Sequence, residues 1–183
     1  MSEELIIQHC APTLAGMKTG SLFSCPYETR QEVREEIRSL NRRLRPKGIR
    51  VLPIRYKNQR VLIYLYRPSC LRRDFLDREA AALLARYGYR AGQPERCLVR
   101  LIGRLREGEG FPHEIGLFLG YPPEDVKGFI ENKAGGCKLA GAWKVYGDAR
   151  KAKRTFQRYK LCTDIYCDRW ARGMSVEGLA QFC

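Results

Sequence analysis

A chain of 183 residues, 44% hydrophobic and 30% charged, is long enough to bury a core and too apolar to be disordered. It has no apolar run near the ~20 residues of a membrane span, and MSEELIIQHC lacks the basic stretch and long apolar run of a signal peptide. The sequence therefore predicts a cytoplasmic protein without a membrane partner. The net charge of +14 is unevenly spread: residues 29–60 carry 11 basic against 3 acidic side chains, whereas residues 107–135 carry 2 against 6.

The eight cysteines (10, 25, 70, 97, 137, 162, 167 and 183) are scattered and form no CxxC pair. That pattern suits reduced thiols, most of them serving as small core hydrophobes, better than a disulfide framework.

In chain order, residues 3–9 read as a short apolar helix or turn leading to Pro12, and Lys18 to Ser24 as a short strand. Thr29 and Glu32 have capping-box spacing, and Val33, Ile37, Leu40 and Leu44 follow as one buried stripe that Pro46 and Gly48 end. Residues 49–56 and 60–66 predict a β-hairpin turning at Asn58-Gln59. Pro53 puts its first arm at an edge, and the second arm, apolar on both faces, is central. A helical region from Pro68 breaks near Asp77 and closes at Tyr87-Gly88. Another helix begins near Pro94, with Leu98, Leu101, Ile102 and Leu105 inward, and stops at Gly108 and Gly110. Two short helices are expected in 111–132, the first opening at Pro112, then one strand over Lys138–Tyr146. A long helix from Asp148 to about Arg172 follows, and Ser175 caps a last short one. The expected fold is α+β: a single compact domain over 1–183, mostly helical, with a small antiparallel sheet built around the hairpin at 49–66.

Four groups of residues carry candidate chemistry. His9-Cys10 and Cys137 are metal-ligand types, and an imidazole beside a thiol also favours the thiolate. His113-Glu114 joins an imidazole to a carboxylate, suited to zinc, iron or acid–base work, although Leu117 stands where HExxH needs its second histidine. Helix-start chemistry accounts for Pro112 and Glu114 equally well. Cys162 and Cys167, five apart on a predicted helix, point away from each other. Basic side chains (Arg34, Arg38, Arg42 and Arg45 on one helix, Lys151, Arg154 and Arg158 on another) stand with tyrosines 56, 64, 66, 87 and 89 near them, a composition that binds nucleic acid or another polyanion. GxGxxG, Walker A, GxSxG and DxDxDG patterns are all missing.

Several strings resemble one family. His9-Cys10-Ala11-Pro12-Thr13-Leu14-Ala15-Gly16 with Lys18 and Leu22-Phe23 is similar to the opening of an uncharacterised bacterial group, domain-of-unknown-function family 3793. Phe111 to Pro122, Glu124-Asp125-Val126, Gly128 to Asn132, Cys137-Lys138 and Trp143 to Tyr146 are similar to its later stretches. The resemblance implies no established activity. It implies small cytoplasmic proteins, largely of anaerobic Gram-positive bacteria, and so an iron-linked or redox role. Expectation therefore centres on a small site for a metal (zinc or iron), a thiol-linked ligand or a redox cofactor. Metal candidates are His9, Cys10, His113 and Cys137, and catalytic candidates are Cys10, His113 and Glu114. The alternatives are a nucleic-acid or polyanion-binding module and an adaptor docking through 111–132.

Overall fold

The computed structural model describes residues 2–107, 110–133 and 135–182. Gly108, expected to stop a helix, and Cys183 lie outside the described residues. The fold is α+β, as the sequence predicts. The chain divides into two compact units, one formed by residues 1–70 and 161–183, the other by residues 71–160.

The first unit is built on a three-stranded antiparallel sheet of β1 (Gly20–Pro26), β2 (Arg50–Lys57) and β3 (Arg60–Tyr66), in the order β1-β3-β2. The central place of β3 follows from its apolar faces. Its register runs Gly20↔Tyr66 to Pro26↔Arg60 on one side and Arg50↔Tyr66 to Lys57↔Arg60 on the other. Asn58 and Gln59 form the hairpin turn with φ of 49° and 56°, the left-handed pair that a two-residue turn between twisted strands requires. Pro53 lies on the outer strand, beside a register shift between Pro53 and Arg55.

Helix α1 (Glu3–Leu14) is longer than the predicted 3–9 and contains Pro12. Ser2 caps its start, and the apolar run from Cys10 to Leu14 is buried, so core packing extends the helix where local propensity alone would end it. Helix α2 (Arg30–Leu44) has the predicted capping box, with Thr29 Oγ1 accepting from Glu32 N at 3.2 Å and Glu32 Oε2 from Thr29 N at 3.3 Å. Val33, Ile37, Leu40 and Leu44 are all buried in the core with Ile7, Val51 and Ile63. Asn41 places its amide against the outer strand: Nδ2 donates to Val51 O at 2.8 Å and Oδ1 accepts from Val51 N at 3.0 Å. A 3-10 turn (Arg45–Lys47) then ends at Gly48, whose φ of 73° makes it a left-handed stop.

Among the described residues of this unit, Arg67 is a wholly enclosed charge. Arg67 gives Nε to Thr13 O (2.7 Å), Nη1 to Lys47 O (3.1 Å), and Nη2 to Leu14 O (2.7 Å) and Gln181 O (2.8 Å). It thereby satisfies carbonyls at the end of α1, at the 3-10 turn and near the C-terminus, and its buried donors are matched without a carboxylate.

In the second unit, Asp77 caps α4 (Arg78–Arg86) by accepting from Glu79 N and Ala80 N, which fixes the break after α3 (Pro68–Asp74). Helix α5 (Pro94–Glu107) buries Leu98, Leu101 and Leu105. Helix α6 (Ile115–Phe118) starts three residues after Pro112, and α7 (Pro123–Asn132) opens on a proline, whose fixed φ and missing N–H suit a first helical position. The single strand predicted over 138–146 is instead a two-stranded hairpin, β4 (Leu139–Ala140) with β5 (Lys144–Val145). The chain reverses at Gly141-Ala142, too small and flexible a pair to carry a strand through. Asp148 accepts from Arg150 N and Lys151 N at the start of α8 (Ala149–Ala171), whose residues to 160 belong to this unit. Ser175 caps α9 (Val176–Leu179) in the first unit.

Candidate functional site

The segment 111–132 is held by two buried carboxylates, each for an identifiable reason. Glu114 is 1% exposed and receives Tyr89 OH at 2.8 Å and Arg104 Nη1 at 2.8 Å. Burial of an anion demands such partners, and they pin the segment to α5 and to the aromatic wall of Tyr89, Phe118 and Phe75. Burial, and then the bond to Glu114, push the Tyr89 hydroxyl well above its usual range, so it stays a donor. Asp125, 3% exposed, accepts from Trp143 Nε1, Tyr146 N and Gly147 N, each at 2.7 Å. It fastens the 139–145 hairpin to α7.

Between these anchors lies a cavity of about 390 Å³. Ile115, Leu119 and Val126 line its apolar side, and Phe111, Tyr121, Phe129 and Trp143 its aromatic side, with His113, Ala140 and Lys144 completing it. Trp143 stacks on Tyr121 at 5.0 Å and 28°, and its indole N–H is consumed by Asp125, so it meets the cavity as a flat apolar surface. Tyr121 donates its hydroxyl to Ala142 O, and burial pushes that hydroxyl up to about 12. Gly116 permits the close approach of α6 to α7, because a Cβ there would lie 2.7 Å from Val126 Cγ2. A Cβ on Gly141 would lie 2.3 Å from Phe156. The exposed His113 ring meets Phe129 edge-on at 4.9 Å.

The sequence-predicted residues divide between the units. His9 and Cys10 are in the first, and His113, Glu114 and Cys137 are in the second. His9 is exposed and stacks on Phe23 at 5.8 Å. Cys10 is fully buried on the same helix beside Ser21, whose hydroxyl lies 2.9 Å from that of Thr13. Burial pushes the Cys10 thiol up to about 12 against the opposing influence of Lys18, so the thiol rather than the thiolate is the neutral-pH form. Burial pulls the Lys18 ammonium down to about 8. In the second unit Glu114 turns inward and its neighbour His113 outward, so the pair does not form one acid–base site; Cys137 is half-buried. Among the described residues, no three or more His, Cys, Asp or Glu side chains form a group that could hold a metal ion. The seven described cysteines form no disulfide, and five of them are buried.

Arg34, Arg38 and Arg42 are exposed on α2 and Arg45 in the 3-10 turn that follows it, and Lys151, Arg154 and Arg158 are exposed on α8, where the N–H groups of Lys151 and Arg150, and then the Arg154 and Lys151 charges, hold the Asp148 carboxyl below the usual range. Tyr64, Tyr66 and Tyr89 are buried, and Tyr56 lies under Arg30 and against Tyr27. Asp125, Tyr121, Phe129, Trp143 and Lys144 also line the cavity, beyond the residues that the sequence predicts for a site. Their signal was the recurrence of aromatics at 111, 121, 129 and 143 within the family strings.

Fold and cavity together define an α+β protein with an aromatic-walled pocket in its 71–160 unit. The family described as protein of unknown function (DUF3793) matches residues 6–180, and the chain belongs to it. No curated protein and no solved structure matches the chain. Among the described residues no helix is long and apolar enough to cross a membrane.

Proposed function

We propose that the protein binds a small, planar, largely apolar ligand in the 71–160 pocket, with an anionic or acceptor group of that ligand directed to the side of His113 and Lys144. The supporting observation is a cavity of about 390 Å³ whose aromatic walls are fixed by buried carboxylates. Its size falls within the range of about 300–1,000 Å³ usual for small-molecule sites, as does its lining of apolar walls with few polar groups. A heteroaromatic cofactor or metabolite fits that description, and its redox or transfer chemistry would be its own. On this reading His113 orients the ligand, Glu114 positions the wall, and Cys10 is a core residue of the other unit.

The test is fluorescence titration with anilinonaphthalene sulfonate, an aromatic, largely apolar probe bearing one anionic group. Wild-type protein is expected to bind it at one saturable site. Ala140→Trp places an indole at an exposed position of the lining, and a folded A140W protein should lose that binding. Unchanged titration of folded A140W would sink the proposal.

A further inference from the structure

Helix α2 sorts its side chains into three stripes. At about 100° per residue, with Val33 as zero, the buried Val33, Ile37, Leu40 and Leu44 fall within about 40° of that direction. Arg34, Arg45, Arg38 and Arg42 follow on one flank, from about 100° to 180°. Glu32, Arg43 and Glu36 occupy the other flank, from about 260° to 300°. Glu35 borders the arginine flank and accepts from Gln31 Nε2 at 2.6 Å.

The basic residues are put to different uses. Arg43 is internal: it bonds Glu3, and its Nε reaches Glu177 Oε2 at 3.0 Å. Arg30 lies over the Tyr56 ring at 5.0 Å. Arg34, Arg38, Arg42 and Arg45 are exposed, and their side chains make no ion pair or hydrogen bond among the described residues. The negative end of the helix dipole accounts for Arg42 in the last turn of α2 and for Arg45 at its C-cap, but not for Arg34 and Arg38. Along the axis the steps between them are about 6, 6 and 4.5 Å, so the stripe spaces its cations over about 16 Å.

We propose that this arginine face binds the phosphate backbone of double-helical nucleic acid without reading its sequence. Single-strand binding uses aromatic platforms, and in the unit that holds α2 Tyr64 and Tyr66 are buried while Tyr56 is covered by Arg30 and edged by Tyr27. Phosphate contact without stacking suits a duplex, whose bases are already stacked inside. An anionic membrane is disfavoured because helices that lie on membranes carry apolar residues beside the basic ones. The apolar side chains of α2 are all committed to the core.

The test is fluorescence anisotropy with a mixed-sequence duplex of about 20 base pairs, read across salt concentration. Four phosphate contacts predict a slope of log affinity on log salt of about −3.6, or roughly 100-fold weaker binding at ~200 mM than at ~50 mM salt. The variant R34Q/R38Q/R42Q/R45Q should lose the binding and the slope, while its circular dichroism and melting temperature stay those of wild type. K151Q/R154Q/R158Q should change the affinity less than threefold. The proposal is overturned by no duplex binding at ~50 mM salt, where such contacts are strong. It is equally overturned if the α2 variant binds as wild type, if the α8 variant is the one that loses binding, or if phosphatidylserine vesicles or polyglutamate bind more tightly than duplex at equal ionic strength.

Discussion

In the unit of residues 1–70 and 161–183 the enclosed charge is a guanidinium, and every hydrogen bond it donates goes to main-chain carbonyls. In the 71–160 unit the enclosed charges are carboxylates, and the segments they fasten are the walls of a cavity. Arg67 draws the ends of α1, the 3-10 turn and the C-terminal residues onto one point. Asp125 and Glu114 hold α7, α5 and the small hairpin around a space. The same rule, that buried charge must be matched, thus closes one unit and keeps the other hollow.

The comparison breaks most readily at Arg67. Arg67→Met leaves several buried carbonyls without donors, at about 1–3 kcal/mol each, and should cost about 3–5 kcal/mol in urea unfolding. A loss under ~1 kcal/mol, less than one unsatisfied group costs, would mean that the guanidinium is dispensable. Asp125→Asn comes next, since an amide N–H directed at Trp143 Nε1 repels it where the carboxylate accepted. The expected loss is about 2 kcal/mol, with faster amide exchange over 139–147 and weaker probe binding. Unchanged probe affinity would separate the anchor from the pocket. Glu114→Gln keeps an acceptor for Tyr89 and Arg104 and removes the charge. Because Arg104 is about one-third exposed, the effect should be about 1 kcal/mol, visible as a small shift in melting temperature.

The smallest effect is one of pH. Lys18 titrates near 8 in the folded chain against its usual 10.5, so above pH 8 the unfolded state holds the extra proton and this group makes stability rise with pH. Lys18→Met should flatten that rise between pH 8 and 9, before the Cys10 thiol, raised on folding, begins to act in the opposite direction. An identical pH profile in K18M would remove the assignment.

The elements with local signals were legible: the capping box at Thr29 and Glu32, the turn at Asn58-Gln59, the cap at Asp77 and the central, doubly apolar β3. What escaped depended on contacts distant in sequence. Nothing near Pro12 says that α1 continues to Leu14, because the reason is core packing. The reversal at Gly141-Ala142 is held by Asp125, 16 residues earlier. The candidate site was legible in position more than in chemistry. His113-Glu114 falls in the segment that borders the cavity, but one side chain faces out and the other in, an outcome set by Tyr89 and Arg104. His9 and Cys10 sit together on α1 yet do different things, one stacking on Phe23 and the other filling the core.

The side chain of Asn41 does to Val51 what a fourth strand would do, taking both its N–H and its C=O, and two residues on Pro53 has no N–H to offer. An outer strand with those positions open is a template on which another chain can polymerise. A single carboxamide on α2 is therefore also a guard against self-association, at a place where a β-rich hairpin would otherwise invite a second molecule to add its own strand.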